Sequence, residues 1–377
     1  MQQPPSVLGG SSSKSPLPPL VFDNPDVTSS ALDFVGNGAY HQFIRCPRTG
    51  MRVSFSEAGA REAPPILCCP PSFCSRYVGG ANFEERARKM GVRLIVIDRP
   101  GMGGTDRCRI EERIEVSAKH VASVLEYLGI KKVALVSHSA GVIYVLDLLA
   151  NHPALLGPSP RVYLMSSWVP TSKSSQIGLQ LVPSVLVGSQ HNILPAILPV
   201  IKGVNTSLAF SSALFHKKQK EKEKKANREW VFPERFRKEG QKYEPKPPFH
   251  VKLETSDEVG NFINGCAFAE SLQGMSQEHL LCLGRGGPVN EAWYRQIVAD
   301  IAKGYAERQD KVMIESWWGE NDGMVPKKGR DWLDELIGTA GDAIEYRSIE
   351  LEGIAHDDPP AKIEVTGAIF EDVREHA

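Results

Sequence analysis

The segment Ser137-His138-Ser139-Ala140-Gly141 separates two apolar runs of different length. Val133-Ala134-Leu135-Val136 before it is short and bounded, as a buried strand would be. Val142-Ile143-Tyr144-Val145-Leu146-Asp147-Leu148-Leu149 after it is long enough only for a helix. A serine among small residues at such a junction implies a strand–turn–helix unit whose two backbones nearly touch. A small-x-Ser-x-Gly string arises by chance about once in every chain or two. Its meaning therefore depends on what surrounds it.

The surroundings alternate regularly. Residues 41–45 and 51–56 pattern as a hairpin that turns at Pro47-Arg48-Thr49-Gly50. Residues 66–69 form a buried strand stopped by Pro70-Pro71, and a helix over 81–90 ends at Gly91. Strand 92–97 leads into Asp98-Arg99-Pro100-Gly101-Met102-Gly103-Gly104-Thr105-Asp106. Ile114, Ala118, Val121, Val124, Leu125 and Leu128 then mark one face of a helix that closes at Gly129. Strand 161–165 follows the Ser139 unit. After residue 170 the rhythm stops. It resumes with helix 291–308, strand 312–314, helix 328–337, strand 344–351 and helix 363–373. This order implies a mostly parallel sheet flanked by helices.

Composition narrows the class. A net charge of −1 over 377 residues points to no nucleic-acid partner. Seven cysteines, an odd number with Cys68 and Cys69 adjacent, argue against a disulfide framework, and their spacing suits no zinc site. The first residues lack the basic start and apolar block of a signal peptide. Residues 1–35 are expected to form a disordered tail, because their first half is rich in Ser, Pro and Gly. The longest apolar stretch is interrupted by Pro183, Pro195 and Pro199, so no span is expected. The expected location is cytoplasmic, with peripheral membrane contact through residues 171–294 left open.

Four segments carry a resemblance to the α/β-hydrolase fold superfamily. The Ser137–Gly141 string resembles its nucleophile elbow, with Ser137 where a glycine is usual. Residues 98–106 resemble its Asp-x-x-Gly-x-Gly-x-Ser/Thr-Asp loop, whose role there is mainly structural. Gly319-Glu320-Asn321-Asp322-Gly323-Met324-Val325-Pro326 resembles its acid loop, and Gly353-Ile354-Ala355-His356 its histidine loop. The resemblance implies a core over 36–170 and 295–377. A largely helical cap, 171–294, is then inserted after the strand that follows the nucleophile helix. It implies a catalytic triad of Ser139, Asp322 and His356, in the chain order that this superfamily uses. Glu320 is a local rival for the acid. Asp357 and Asp358 would hydrogen-bond the histidine or face water, and His138 is expected to be a packing residue.

The implied chemistry needs neither cofactor nor metal. His356 takes the Ser139 proton as the serine attacks a carbonyl carbon, and Asp322 orients the imidazole. Backbone N–H groups must hold the resulting oxyanion. Ala140 supplies one. The other should follow Cys69, where the superfamily usually has His-Gly and this chain has Pro70-Pro71. Neither proline has an N–H. The superfamily's usual donor is the residue after His-Gly, so the resemblance implies Ser72, with Phe73 as the fallback.

A serine nucleophile excludes the epoxide and halide chemistry that the superfamily runs on aspartate. The expected function is a serine carboxylic ester hydrolase acting on a small-molecule ester. An apolar acyl group is suggested by the run 177–215. A thioesterase or acyltransferase with the same triad is an alternative, as is a non-catalytic binding protein. The lysine-rich run 217–225 fits a solvated face or a contact with an anionic membrane.

Overall fold

The structure is a computed structural model that describes residues 36–77, 83–176, 182–189, 266–267 and 269–377. The tail 1–35, the lysine run 217–225, the Pro-rich link 244–248 and all of the apolar run 177–215 except 182–189 lie outside the described residues.

Strands β1 (Gln42–Arg45), β2 (Arg52–Gly59), β3 (Pro65–Cys69), β4 (Arg93–Ile97), β6 (Ala134–His138), β7 (Arg161–Met165), β9 (Val312–Gly319) and β10 (Ile344–Leu351) form one sheet. Their order is β1-β2-β4-β3-β6-β7-β9-β10. The β1–β2 and β2–β4 pairs are antiparallel, and every later pair is parallel. A two-stranded ladder, β5 (Met102–Gly103) with β8 (Ser271–Leu272), stands apart.

Helices α1 (Glu84–Met90), α2 (Arg113–Tyr127), α3 (Gly141–Asn151), α4 (Ser184–Gly188), α5 (Gln273–Cys282), α6 (Glu291–Glu307), α7 (Lys327–Gly338) and α8 (Ile363–Glu375) complete the described elements. The period-2 alternation of the strands decides which helix covers which face. Leu135, Val162, Leu164, Ile95 and Ile97 point into a core with α2, α3, α6 and α7. Val136, Tyr163, Met165 and Leu94 point the other way, against α1 and α8. Burial on both faces explains why the parallel strands are almost continuously apolar in sequence.

Two boundaries beside the site differ from the sequence expectation. β9 extends to Gly319 rather than stopping near Ile314, although Glu315 and Ser316 interrupt its apolar pattern. Parallel pairing with β7 on one side and β10 on the other overrides the local polarity. β6 carries its pairing through Ser137 and His138, so the turn is confined to Ser139 and Ala140.

The chain order reverses between β3 and β6, which makes their carboxyl ends the switch point where open α/β sheets place their sites. Cys69 stands opposite Ser137 in that pair. The loops after β3, β6, β9 and β10 all leave the same edge of the sheet.

Candidate active site

Ser139 sits in the turn with φ +52°, the left-handed region that an L-serine rarely adopts. Such a conformation costs on the order of 1–3 kcal/mol and persists only where the surroundings hold it. Both ends of the residue are held. Its N–H donates to the Met165 carbonyl at 3.0 Å, and its carbonyl accepts from Trp168 N–H at 3.1 Å. Gly141 lets the helix start this close to the sheet, since a Cβ there would lie 2.0 Å from the Cys69 carbonyl oxygen.

The structure brings Ser139, His356 and Asp322 into one chain of hydrogen bonds. His356 Nε2 is 3.0 Å from Ser139 Oγ, and His356 Nδ1 is 2.7 Å from Asp322 Oδ2. All three are buried. The other carboxylate oxygen of Asp322 accepts from Met324 N–H and Val325 N–H, each at 2.8 Å. These local bonds fix the carboxylate before histidine meets it. Burial opposes a charge on His356, but the charge and hydrogen bond of Asp322 outweigh it and leave the pKa above the ordinary histidine value.

The local rivals are accounted for by other contacts. Glu320 accepts from Gly353 N–H at 2.8 Å, which ties the β9 and β10 loops together. Asp358 accepts from Ala355 N–H at 2.8 Å. Asp357 lies near His356, and burial, offset only in part by His356, pushes its carboxyl up to about 6.

His138 is more than a packing residue. Its Nε2 lies 3.0 Å from the backbone carbonyl oxygen of His356. A carbonyl only accepts, so that nitrogen carries the proton and donates. Burial and the neighbouring His356 push its pKa down to about 3, so the ring is neutral. The β6 pleat, continued through His138, turns this side chain toward the β10 loop. Among the described residues His138, His356 and Asp357 bring three ligand-capable atoms within 4.8 Å. Nε2 of His138 is protonated and both nitrogens of His356 are engaged, so these three nitrogens are not free to hold a metal.

On the other side lies the loop after β3. Ala140 directly precedes α3, so its N–H lies at a helix N-terminus, where backbone donors and the dipole favour an anion. Ser72 lies three residues beyond β3, and its hydroxyl is 3.0 Å from His279 Nε2 on α5. Arg99 donates from Nη1 to the Pro70 carbonyl at 2.7 Å and from Nη2 to the Pro71 carbonyl at 2.6 Å. Sequence reasoning assigned Arg99, Glu278 and His279 no role, because α5 lies in the stretch expected to be cap. Loop 98–106 is otherwise structural, as the resemblance implied. Asp98 accepts from Ser54 Oγ and from Arg76, and a Cβ at Gly103 (φ +52°) would lie 2.1 Å from Asp98 Oδ2.

No family model matches the sequence, and no curated protein matches it. Solved structures do. An enol-lactonase from Burkholderia xenovorans LB400 superposes with a TM-score of 0.53 at 14% identity, over 88% of this chain and 99% of its own. An esterase from Exiguobacterium antarcticum gives 0.54 at 15%, over 89% and 99%. A putative lipase from Acinetobacter baumannii gives 0.56 at 15%, over 94% and 98%. At such identities the likeness concerns the fold.

Proposed function

The chain has the α/β-hydrolase fold, and on that premise we propose that it is a serine hydrolase cleaving a carboxylic ester through an acyl-enzyme on Ser139. The observation that carries this reading is the unbroken Ser139–His356–Asp322 relay at a strained strand-to-helix turn. A serine hydroxyl is a weak nucleophile at neutral pH and needs an adjacent base. As Ser139 Oγ bonds to the ester carbon, its proton passes to His356 Nε2, and the carbonyl π electrons move onto oxygen. Ala140 N–H and Ser72 N–H hold that oxyanion. Collapse expels the alcohol, which takes the proton from His356. Water then repeats the sequence against the acyl-enzyme and releases the acid.

Asp322 stabilises the imidazolium formed in each half and fixes the tautomer with Nε2 toward the serine. No step calls for a cofactor. We read 36–170 and 295–377 as the core and 171–294 as a cap inserted between its two parts. An apolar acyl group is favoured by the leucine- and valine-rich run 177–215, part of which, α4, exposes Val185 and Leu186. No described helix is long and apolar enough to cross a membrane. Peripheral contact would rest on the same apolar surface and the lysine run 217–225.

The test is labelling with a fluorophosphonate beside Ser139→Ala and His356→Ala, followed by nitrophenyl esters of increasing chain length. The parent should label and turn over, with rates down by about 10⁴–10⁶ in the variants. A folded parent that neither labels nor hydrolyses would sink the reading and favour a binding role. Activity confined to acetate would remove the apolar acyl group alone. Competing acceptor alcohols distinguish hydrolysis from acyl transfer.

A further inference from the structure

A trans peptide holds its carbonyl and its N–H in one plane, pointing in opposite directions. Pro71 C=O and Ser72 N–H share such a plane, and the described backbone has no cis peptide. Whatever fixes the direction of the Pro71 carbonyl therefore fixes the direction of the Ser72 N–H. The Pro71 carbonyl accepts from Arg99 Nη2 at 2.6 Å and from Cys74 N–H at 3.3 Å. The preceding carbonyl, on Pro70, accepts from Nη1 of the same guanidinium. One planar fork thus holds two consecutive peptide planes.

Arg99 is itself held from a distant part of the chain. Its Nε donates to Glu278 Oε1 on α5 at 2.9 Å, and its guanidinium lies 4.9 Å from the centre of the Tyr144 ring. Glu278 is fully buried. The same oxygen accepts from Arg113 Nε at 2.7 Å and Tyr144 Oη at 2.6 Å. Burial alone would raise the carboxyl, but Arg99 and Arg113 outweigh it and hold it below its ordinary range. The next residue of α5, His279, contacts the Ser72 hydroxyl. Burial pushes His279 down to about 4, so this second anchor is a neutral hydrogen bond.

We propose that Arg99 is a positioning residue for the oxyanion loop, and that α5 sets the direction of the Ser72 N–H through two anchors. These are Glu278–Arg99 on the proline carbonyls and His279 on the Ser72 side chain. The inference rests on the hydrolase reading above. It explains how a loop with Pro-Pro in place of His-Gly presents a donor: the prolines offer no N–H, and their two carbonyls become the handles. Two buried cations against one buried carboxylate also leave this cluster with positive charge, which favours a neighbouring oxyanion. The hydrogen bonds of Arg99 go to Glu278 and to the two proline carbonyls. Its effect on rate passes through the backbone.

The experiment measures ester hydrolysis and trifluoromethyl-ketone inhibition on the full chain, with Arg99→Lys and Ser72→Ala. Ser139 adds to such a ketone to form a hemiketal oxyanion, so its affinity reports the hole without turnover. A lysine is a point charge that cannot reach Glu278 and both carbonyls in one plane. Arg99→Lys should lower kcat about 100-fold with KM within a few-fold, and should weaken the ketone by a similar factor. Ser72→Ala keeps the N–H and loses only the His279 anchor. It should cost a few-fold in kcat and in ketone affinity with an unchanged melting temperature.

A folded Arg99→Lys with unaltered kcat and ketone affinity, or with a loss in KM alone, overturns the proposal. If Arg99→Lys fails to fold, Ser72→Ala decides, and an unchanged kcat and ketone affinity there overturns it. A parent with no Ser139-dependent hydrolysis fails the hydrolase reading, and this inference falls with it. An active parent with indifferent variants fails this inference only.

Discussion

The two sides of Ser139 are built by different means. On the acid–base side, each loop has bonds within its own sequence. Asp322 is fixed by the N–H groups two and three residues on, and Ala355 by Asp358, three residues on. On the oxyanion side, nothing local holds the loop as firmly. Pro70 and Pro71 depend on Arg99, 29 and 28 residues away, and Ser72 on His279, 207 residues away. Short-range bonds leave a motif in the sequence. Long-range bonds leave isolated residues whose purpose appears only once the chain is folded.

The largest effect tests the acid–base side. Asp322→Asn should keep the loop, because an amide oxygen can still accept from Met324 and Val325. It should cost about 10⁴ in kcat, since the tautomer and charge that His356 needs are lost. The pH profile should move with it. His356 must be neutral to act as a base, and Asp322 holds its pKa above the ordinary histidine value. The acidic limb of the parent should therefore lie above that value, and in Asp322→Asn it should shift to lower pH. A limb that stays put would detach it from His356 and break the comparison at its better-defined end.

How much could be read beforehand follows from the same contrast. The sheet, its order of helices and the three loops bearing Ser139, Asp322 and His356 were legible, because strand alternation and glycine-marked turns are local signals. Ser72 could be named only through the resemblance, as the residue after the pair that stands where the superfamily has His-Gly. Arg99 sat in plain view inside a loop read as structural, and Glu278 inside a stretch read as cap, with no local feature joining them. A signal did exist: a Glu-His pair at 278–279 beside Leu280-Leu281 is a charge at the edge of an apolar helix face, which demands a buried cation. Which arginine answers it is a tertiary fact. The direction of the His138 side chain was misjudged for a related reason. The strand pleat persists to the residue before Ser139, so the side chain is directed by β6 and not by the turn.

A middle-sized effect probes whether the acid–base side has a long-range contact of its own. His138→Phe keeps the ring's volume and removes the N–H that His356's carbonyl accepts. A buried carbonyl left without that donor costs about 1–3 kcal/mol, shared between stability and the placement of the histidine loop. We expect kcat to fall about 10-fold with KM nearly constant and a modest drop in melting temperature. Loss of melting temperature alone would make His138 a packing residue after all.

The smallest effect compares two glutamates, buried Glu278 and half-buried Glu315, one per side. Glu278 has two guanidiniums on it and stays ionised. Glu315, on the strand that leads to Asp322, has Trp317 Nε1 at 2.9 Å, with Asp372 nearby. Burial first, and then the charge of Asp372, push its carboxyl up to about 7 from an ordinary 4.5. The sign follows from linkage. A carboxyl with a raised folded-state pKa binds its proton more tightly when folded, so its stabilisation is complete below pH 4.5 and is lost as pH rises through about 7. Glu315→Gln, which cannot ionise, should match the parent near pH 4 and melt several degrees above it at pH 8, about 3–6 °C for a domain of this kind. Glu278→Gln should do the opposite: it strips the shared anion from two buried arginines and lowers melting at every pH. Parallel melting curves for Glu315→Gln and the parent across this range would mean that Glu315 ionises without penalty. The two sides would then differ in how they are positioned and not in how they carry charge.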